Sequence, residues 1–356
     1  MTTTANATPC IIFSHVFPDK TNTLMVAAIF GTIYVSIFVF GILGNAAVIY
    51  YTLRYSVLQT VRNILVLNLT IADLLVCLIA VPITPLSYIY KEWFFGKFMC
   101  HALPWLQGTS IIISSFSLTI IAIDRFSTIV FPYRKCLILN RQKCWRLLPI
   151  LWTVSGALVY PYGRFMELKS LPFRLNLSSG VHGICGQFCN ENWPSKAFQQ
   201  TFSISISIIQ FVIPFAIMAI CYGAVWWELQ KHMQQRLARS CQVRLLNDRH
   251  HMIMKQRQQS TLKLISLVLI YAISWLPHNV VVALMDHTKV LFYNSDALYL
   301  VYLSSHSFAM LSMLANPLLY AWLNAKFKKD IIQRLTKRQN VVEFRNTTKV
   351  EGSAQV

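Results

Sequence analysis

Seven long apolar stretches, separated by shorter polar connections, limit this chain more than any other feature. They run over residues 25–51, 63–90, 101–130, 146–163, 201–227, 262–286 and 298–323. Each reaches the roughly 18 mainly apolar residues that a helix needs to cross a hydrocarbon core. The composition agrees. Of 356 residues, 55% are hydrophobic and 13% charged, and the mean hydropathy of +0.48 is too high for an ordinary soluble domain. No hydrophobic run precedes the first stretch, so no cleavable signal peptide is expected and segment one serves as the insertion signal.

A formal charge of +19 raises the question of nucleic acid, and its placement answers it. Arg125 and the alternate connections that include residues 54–62, 134–146, 231–263 and 326 onward hold 24 of the 32 Lys and Arg. By the positive-inside rule those connections are cytoplasmic, the N-terminus is outside and the C-terminus inside. The basic charge then serves topology and contact with inner-leaflet lipid, and no nucleic-acid partner is expected. The expected fold is an all-α membrane bundle of seven transmembrane helices over 25–323. An extracellular N-terminus of residues 1–24 precedes it. Phe327, Ile331, Ile332 and Leu335 make an apolar stripe between basic residues, so 324–337 reads as a short amphipathic cytoplasmic helix. Residues 338–356 read as a disordered tail.

The stretch from Cys100 to Pro132 organises the rest. A helix from Cys100 to Arg125 is about 37 Å long, enough to span the bilayer. Gln107, Ser114, Ile121 and Arg125 share one face, with a cysteine at one end and the charged pair Asp124-Arg125 at the other. Asp73 falls mid-membrane in segment two, where a buried acid is a functional candidate by default. Pro82, Pro85, Pro214 and Pro277 bend their helices. Trp152 reads as an interfacial or packing aromatic. Asn6 and Asn176 head glycosylation sequons on the outer side, whereas Asn68-Leu69-Thr70 lies inside a membrane segment and is discounted. Cys10, Cys100, Cys185 and Cys189 fall outside the membrane where disulfides persist, and four cysteines allow three pairings.

These landmarks, taken in order, resemble the rhodopsin-like (class A) G-protein-coupled receptors across about 25–337. The set is Gly44-Asn45, Leu69 to Asp73, Cys100, Asp124-Arg125-Phe126, Trp152, Pro214 with Tyr222, Ser274-Trp275-Leu276-Pro277, and Asn316-Pro317-Leu318-Leu319-Tyr320. The resemblance implies that Asp124 holds Arg125 in the inactive state. It implies that Trp275 and Pro277 form a pivot, and that Tyr222 and Tyr320 stabilise the open one. Pro214, Tyr271, Asn316 and Pro317 complete that switch. Asn45, Asp73, Ser114, Ser312 and Asn316 match a sodium pocket, the one cofactor implied. Phe126, Ser274, Ser312, Ser115 and Tyr271 depart from the usual residues there.

The ligand class follows by similarity. Gln107 stands where amine receptors place an Asp, and Met310 stands where opsins place the retinal lysine. The stretches KEWFFGKFMC, GQFCNENWP, SWLPHNV and FAMLSMLANPLLYAWLNAKFKKD look most like the neuropeptide Y/neuropeptide F receptor group, including nematode receptors for RFamide-type peptides. That likeness implies bridges Cys100–Cys189 and Cys10–Cys185. It also implies a ligand ending in Arg-aromatic-amide: Gln107, Gln210 and His306 meet the amide, Asp286 pairs with the arginine, and Thr84 adds a polar contact. Val282 departs from an amide side chain usual in the group. A heterotrimeric G protein of the inhibitory class and arrestin are the implied cytoplasmic partners, and the plasma membrane is the location. No enzymatic arrangement is present. A transporter or channel would show internal repeats, broken helices and several pathway charges, and the chain has no internal repeat and few membrane charges. The alternative is a class A receptor with another ligand or with constitutive signalling.

Overall fold

The computed structural model describes residues 10–12, 21, 23–56, 59–134, 138–170, 173–177, 180–237, 244–287 and 298–323. Helix α1 covers Leu24–Arg54, α2 Val61–Tyr90, α3 Gly96–Val130 and α4 Arg141–Arg164. Helix α5 (Lys196–Ser207) passes through a π turn (Ile208–Val212) into α6 (Ile213–Leu237), so the three form one fifth span. Helix α7 covers Arg244–His287, and the last span is divided into α8 (Leu298–Met310) and α9 (Ser312–Leu323).

Among the described residues, five spans are long and apolar enough to cross a membrane by length and composition: Leu24–Arg54, Val61–Tyr90, Gly96–Val130, Lys196–Lys231 and Gln258–Asp286. Helix α4 is interrupted in its apolar character by Arg141, Lys143, Arg146 and Arg164. The seventh expected segment is split at Leu311, where Ser312 Oγ turns back to the Ala309 carbonyl at 2.7 Å and competes with the helix ladder. Helices α6 and α7 also run well past the expected segment ends at 227 and 262, which carries helix into the basic connection between them.

The burial pattern explains how the helices sit. On α1 the buried residues are Phe30, Tyr34, Ile37, Gly41, Asn45, Val48 and Thr52, spaced three or four apart, so one stripe faces the bundle. Leu24, Phe40 and Leu43 lie on the exposed remainder, which suits lipid. Helix α3 is the axis, in contact with α2, α4 and α6, and its Ser110, Ser114, Ser115 and Ser117 are all buried. Close approach needs glycine at several places, Gly44 and Gly108 among them. A Cβ on Gly44 would stand 2.9 Å from the ring of Pro317, and one on Gly108 2.5 Å from Val159.

Trp152 does more than pack. Its Nε1 donates to Asn68 Oδ1 at 2.8 Å, and Asn68 Nδ2 donates to Ser117 Oγ at 3.0 Å, so one asparagine ties α4, α2 and α3 together. The buried amide at position 68 is a structural strut rather than a glycosylation site.

Among the described residues, five short strands modify the all-helical expectation outside the bundle. Strand β1 is Cys10–Ile12, β2 Met166–Ser170, β3 Phe173–Leu177, β4 Gly180–Cys185 and β5 Gln187–Glu191. Strands β3 and β4 pair antiparallel, β1 lies parallel to β4, and β2 pairs antiparallel with β5. Cys189 sits opposite Leu168 on the β2–β5 ribbon and forms the expected disulfide with Cys100 at the head of α3, with Cα atoms 5.6 Å apart. Trp93 N–H donates to the Gln187 carbonyl at 2.7 Å and holds the same ribbon over the α2–α3 connection. The parallel register sets Cys10 across from Gly183 and Cys185 across from Ile12. The side chains of Cys10, Cys185 and Asn176, residue Asn6, the amphipathic segment 324–337 and the tail 338–356 lie outside the described residues.

Candidate functional site

Beneath the β2–β5 ribbon lies a cavity of about 590 Å³. Cys100, Met166, Phe188 and Cys189 form its roof side, and Thr84, Tyr88, Gln107, Tyr299 and Tyr302 reach it from α2, α3 and α8. Tyr88 and Tyr302 stack at 4.1 Å with rings nearly parallel, giving a flat aromatic wall. Lys91 ends α2 in the left-handed conformation at φ 54 and holds its ammonium 4.9 Å from the Tyr299 ring centre. The disulfide matters here because it fixes one edge of the opening to the axis of the bundle.

Of the five residues expected to meet a ligand, the structure brings three together. Thr84 and Gln107 line the cavity. His306 lies directly behind Gln107, fully buried, with Gln107 Nε2 3.3 Å from His306 Nε2 and Tyr34 Oη 2.8 Å from His306 Nδ1. His278 stands edge-on to His306 at 5.3 Å and bonds Ser305 Oγ at 3.2 Å. Gln210 and Asp286 are not among the lining residues. Gln210 is buried in the π turn, and the Asp286 carboxylate accepts from Ser203 Oγ at 2.8 Å.

The carboxylates that do face the cavity are Glu92 and Glu191. Glu191 Oε2 accepts from Trp193 Nε1 at 2.6 Å and from Gln199 Nε2 at 2.8 Å. Removal from bulk water raises its carboxyl above the ordinary range, the Trp193 bond opposes that rise, and the charge of Asp286 adds to it. Glu191 therefore feels the charge of Asp286, although Asp286 itself does not line the cavity. Tyr88 and Tyr302 carry no motif in the sequence, and Lys91 and Glu191 lie in the family-like stretches KEWFFGKFMC and GQFCNENWP without a role assigned to them there; the fold brings all four to one cavity.

Below the cavity, two prolines explain two polar side chains. Pro214 has no N–H, so the carbonyl four residues earlier, Gln210 O, loses its helical donor. The Ser115 hydroxyl supplies one at 2.6 Å. Pro317 likewise releases the Met313 carbonyl, and Asn45 Nδ2 donates to it at 3.2 Å. Ser115 thus replaces the usual aliphatic contact with a hydrogen bond. Tyr271 extends the same substitution: its hydroxyl donates to the Ile111 carbonyl at 3.1 Å while its ring lies against Phe211, Phe215 and Trp275.

Trp275 Nε1 donates to Ser312 Oγ at 3.1 Å, joining the bend at Pro277 to the α8–α9 break. Asn316 Nδ2 donates to the buried Asp73 carboxylate. Ser114 is buried on α3, and Asn45 Oδ1 is buried with no hydrogen-bond partner. The oxygens of Asp73, Asn45, Ser114 and Ser312 are the hard donors a sodium ion takes. At the opposite end of α3 from Cys100, Asp124 and Tyr222 are buried, and Arg125 Nε is buried without a hydrogen-bond partner. Arg62 Nη1 donates to Ser260 Oγ at 2.8 Å, linking the start of α2 to α7 across the bundle mouth. The Tyr320 side chain lies outside the described residues.

Comparison with known proteins agrees with this layout. The family described as 7 transmembrane receptor (rhodopsin family) matches residues 44–320. The Caenorhabditis elegans neuropeptide receptor npr-1 is 32% identical, over 92% of this chain and 77% of its own length. The human neuropeptide Y receptor type 2 is 28% identical, over 95% of this chain and 84% of its own. The guinea pig receptor of the same name is 29% identical over the same shares.

The Ser115 bond is open to direct test. Ser115→Ala leaves the Gln210 carbonyl unpaired in an apolar interior, at a cost of about 1–3 kcal/mol. The thermal midpoint of the purified protein falls accordingly, whereas Ser115→Thr keeps the hydroxyl and holds close to wild type. Equal midpoints for Ser115→Ala and wild type contradict the account.

Proposed function

We propose a peptide-sensing role for this chain, which belongs to the rhodopsin family of seven-transmembrane receptors and is a multi-pass membrane protein, not an enzyme. The ligand is an amidated neuropeptide of the neuropeptide Y/neuropeptide F or FMRFamide-like kind, ending in Arg-aromatic-amide. The observation that carries this reading is the cavity's polarity. A neutral amide, Gln107, is backed by His306 at the inner end, and Glu191 lines the cavity, with the charge of Asp286 acting on it from outside the lining. A neutral carboxamide on the ligand fits the first, where a free carboxylate would lose a donor. The peptide's guanidinium fits the second through charge-assisted hydrogen bonds. Thr84 adds a polar contact on the α2 side, and Gln210 acts from beneath through the fifth span. The names of the similar receptors support a peptide as the ligand.

The response runs to a heterotrimeric G protein, of the inhibitory class by likeness to the group, with arrestin as a second cytoplasmic partner. The N-terminus faces outward at the plasma membrane, glycosylated at Asn6 and Asn176 and tethered through Cys10–Cys185. Activation requires the Arg62–Ser260 link to break as the inner end of α7 swings away, freeing Arg125 for the G protein. Tyr222 and Tyr320 then close around it. Asp73, Asn45, Ser114, Ser312 and Asn316 would hold a sodium ion that favours the closed state. The support is the buried Asp73 carboxylate and the buried Asn45 oxygen that has no hydrogen-bond partner.

G-protein activation in cells challenged with matched amidated and free-acid peptides ending in Arg-Phe tests the reading. Amidated peptides activate and free acids are at least tenfold weaker. Asp286→Ala and Glu191→Gln each cost about tenfold or more for the arginine peptide, the worth of one charge-assisted bond. Neither changes the potency of a peptide with citrulline in place of that arginine. Equal action of amide and acid refutes the peptide-amide assignment. Sodium chloride, against an equal concentration of N-methylglucamine chloride, lowers agonist affinity in wild type but not in Asp73→Asn. A sodium effect that survives Asp73→Asn removes the ion site.

A further inference from the structure

Gln107 presents two chemically opposite ends, an acceptor oxygen and a donor NH₂, and the end that faces the cavity decides what it can recognise. In this structure the choice is made from behind. Gln107 Nε2 lies 3.3 Å from His306 Nε2, and His306 Nδ1 lies 2.8 Å from Tyr34 Oη. Tyr34 Oη in turn donates to the Leu303 carbonyl at 3.4 Å. The last link has only one direction, because a carbonyl oxygen cannot donate.

The order of the protons follows. Tyr34 has a single hydroxyl hydrogen, and Leu303 receives it, so the Tyr34 oxygen accepts from His306 Nδ1–H. A neutral imidazole that donates at Nδ1 accepts at Nε2. His306 Nε2 therefore takes a hydrogen from the Gln107 NH₂ group, which turns Gln107 Oε1 toward the cavity that Gln107 lines. The ring cannot easily turn to undo this. It lies near-parallel to Tyr34 at 5.9 Å and 23° and to Tyr302 at 6.1 Å and 11°, and it is fully buried. His278 meets it edge-on and spends its own Nδ1 on Ser305, so it does not compete for either ring nitrogen.

We propose that Tyr34 is a positioning residue for ligand selectivity: through His306 it holds the Gln107 carbonyl toward the cavity, so that the site accepts a carboxamide N–H and rejects a carboxylate. Tyr34 lies on α1, outside the cavity lining, and touches no ligand itself. The inference rests on the peptide-amide reading above and adds to it the element that sets the discrimination. With the relay intact, a free-acid terminus faces an acceptor and has no hydrogen to give. With Tyr34 replaced by Phe, Nδ1 loses its acceptor and the imidazole is free to carry its hydrogen on Nε2. Gln107 can then reverse and offer its NH₂ to a carboxylate.

The test compares potencies of one synthetic peptide pair, identical except for Arg-Phe-NH₂ or Arg-Phe-OH at the terminus, on full-length receptor with surface expression matched. The readout is the ratio of acid to amide half-maximal concentrations. Tyr34→Phe is expected to lower that ratio about tenfold, chiefly by improving the acid, which is the worth of one ordinary hydrogen bond. In the double variant Tyr34→Phe with Gln107→Glu, a side chain that only accepts restores the preference for amide. His306→Phe removes the same constraint one link along and lowers the ratio as well, so it serves where Tyr34→Phe does not reach the surface. An unchanged ratio in both single variants overturns the proposal. So does a parallel loss of both potencies, which marks Tyr34 as packing only. A wild-type ratio near one is a different failure: it removes the amide reading and the relay with it.

Discussion

A carbonyl released by proline inside a hydrocarbon-facing bundle has no water to turn to, and the structure depends on what supplies the missing donor. Pro214 releases Gln210 O and Ser115 meets it; Pro317 releases Met313 O and Asn45 meets it. Each replacement comes from a different helix, so each bend is also a cross-link. The second is reinforced sterically, because Gly44 beside Asn45 leaves room for the Pro317 ring. Two helices that bend are thereby held at the bend by their neighbours, which permits movement at defined points without leaving buried polar groups open.

From the cavity inward, the aromatic rings make a continuous path through these points. His306 contacts His278 at 5.3 Å, His278 contacts Trp275 at 6.2 Å, and Trp275 contacts Tyr271 at 6.2 Å. Tyr271 then meets Phe211 and Phe215 on either side of Pro214. A side branch runs from Trp275 to Ser312, close along α9 to the Asn316–Asp73 pair. A ligand that shifts Gln107 or His306 has packed neighbours to displace at every step, down to the helix whose inner end is tied to Arg62. Packed cores have few arrangements between which to move, and this is the physical basis for a switch rather than a gradual deformation.

Much of this was legible in the chain because membrane residence writes itself in runs of apolar residues and in the asymmetry of Lys and Arg. The spans, the Cys100–Cys189 bridge and the closeness of Thr84, Gln107 and His306 followed from landmarks in order. The strands did not, since the segment 166–191 pairs through backbone groups that no side-chain pattern announces. Likeness to the receptor group implied Asp286 as a ligand contact, but its carboxylate accepts from Ser203 on the neighbouring span, and Glu191 lines the cavity instead. Trp152 read as packing because its partner, Asn68, is 84 residues away. Tyr34 carried no signal at all: one tyrosine on an apolar helix acquires meaning only from a histidine 272 residues later.

The central claim is that the inner end of the cavity reads a carboxamide through the carbonyl of Gln107. A structure of the receptor bound to an amidated Arg-Phe peptide and its G protein tests this most directly. The account predicts the terminal amide nitrogen about 3 Å from Gln107 Oε1, with the arginine against Glu191 and Asp286. A peptide terminus lying at the rim, with Gln107 still bonded only to His306, would contradict it.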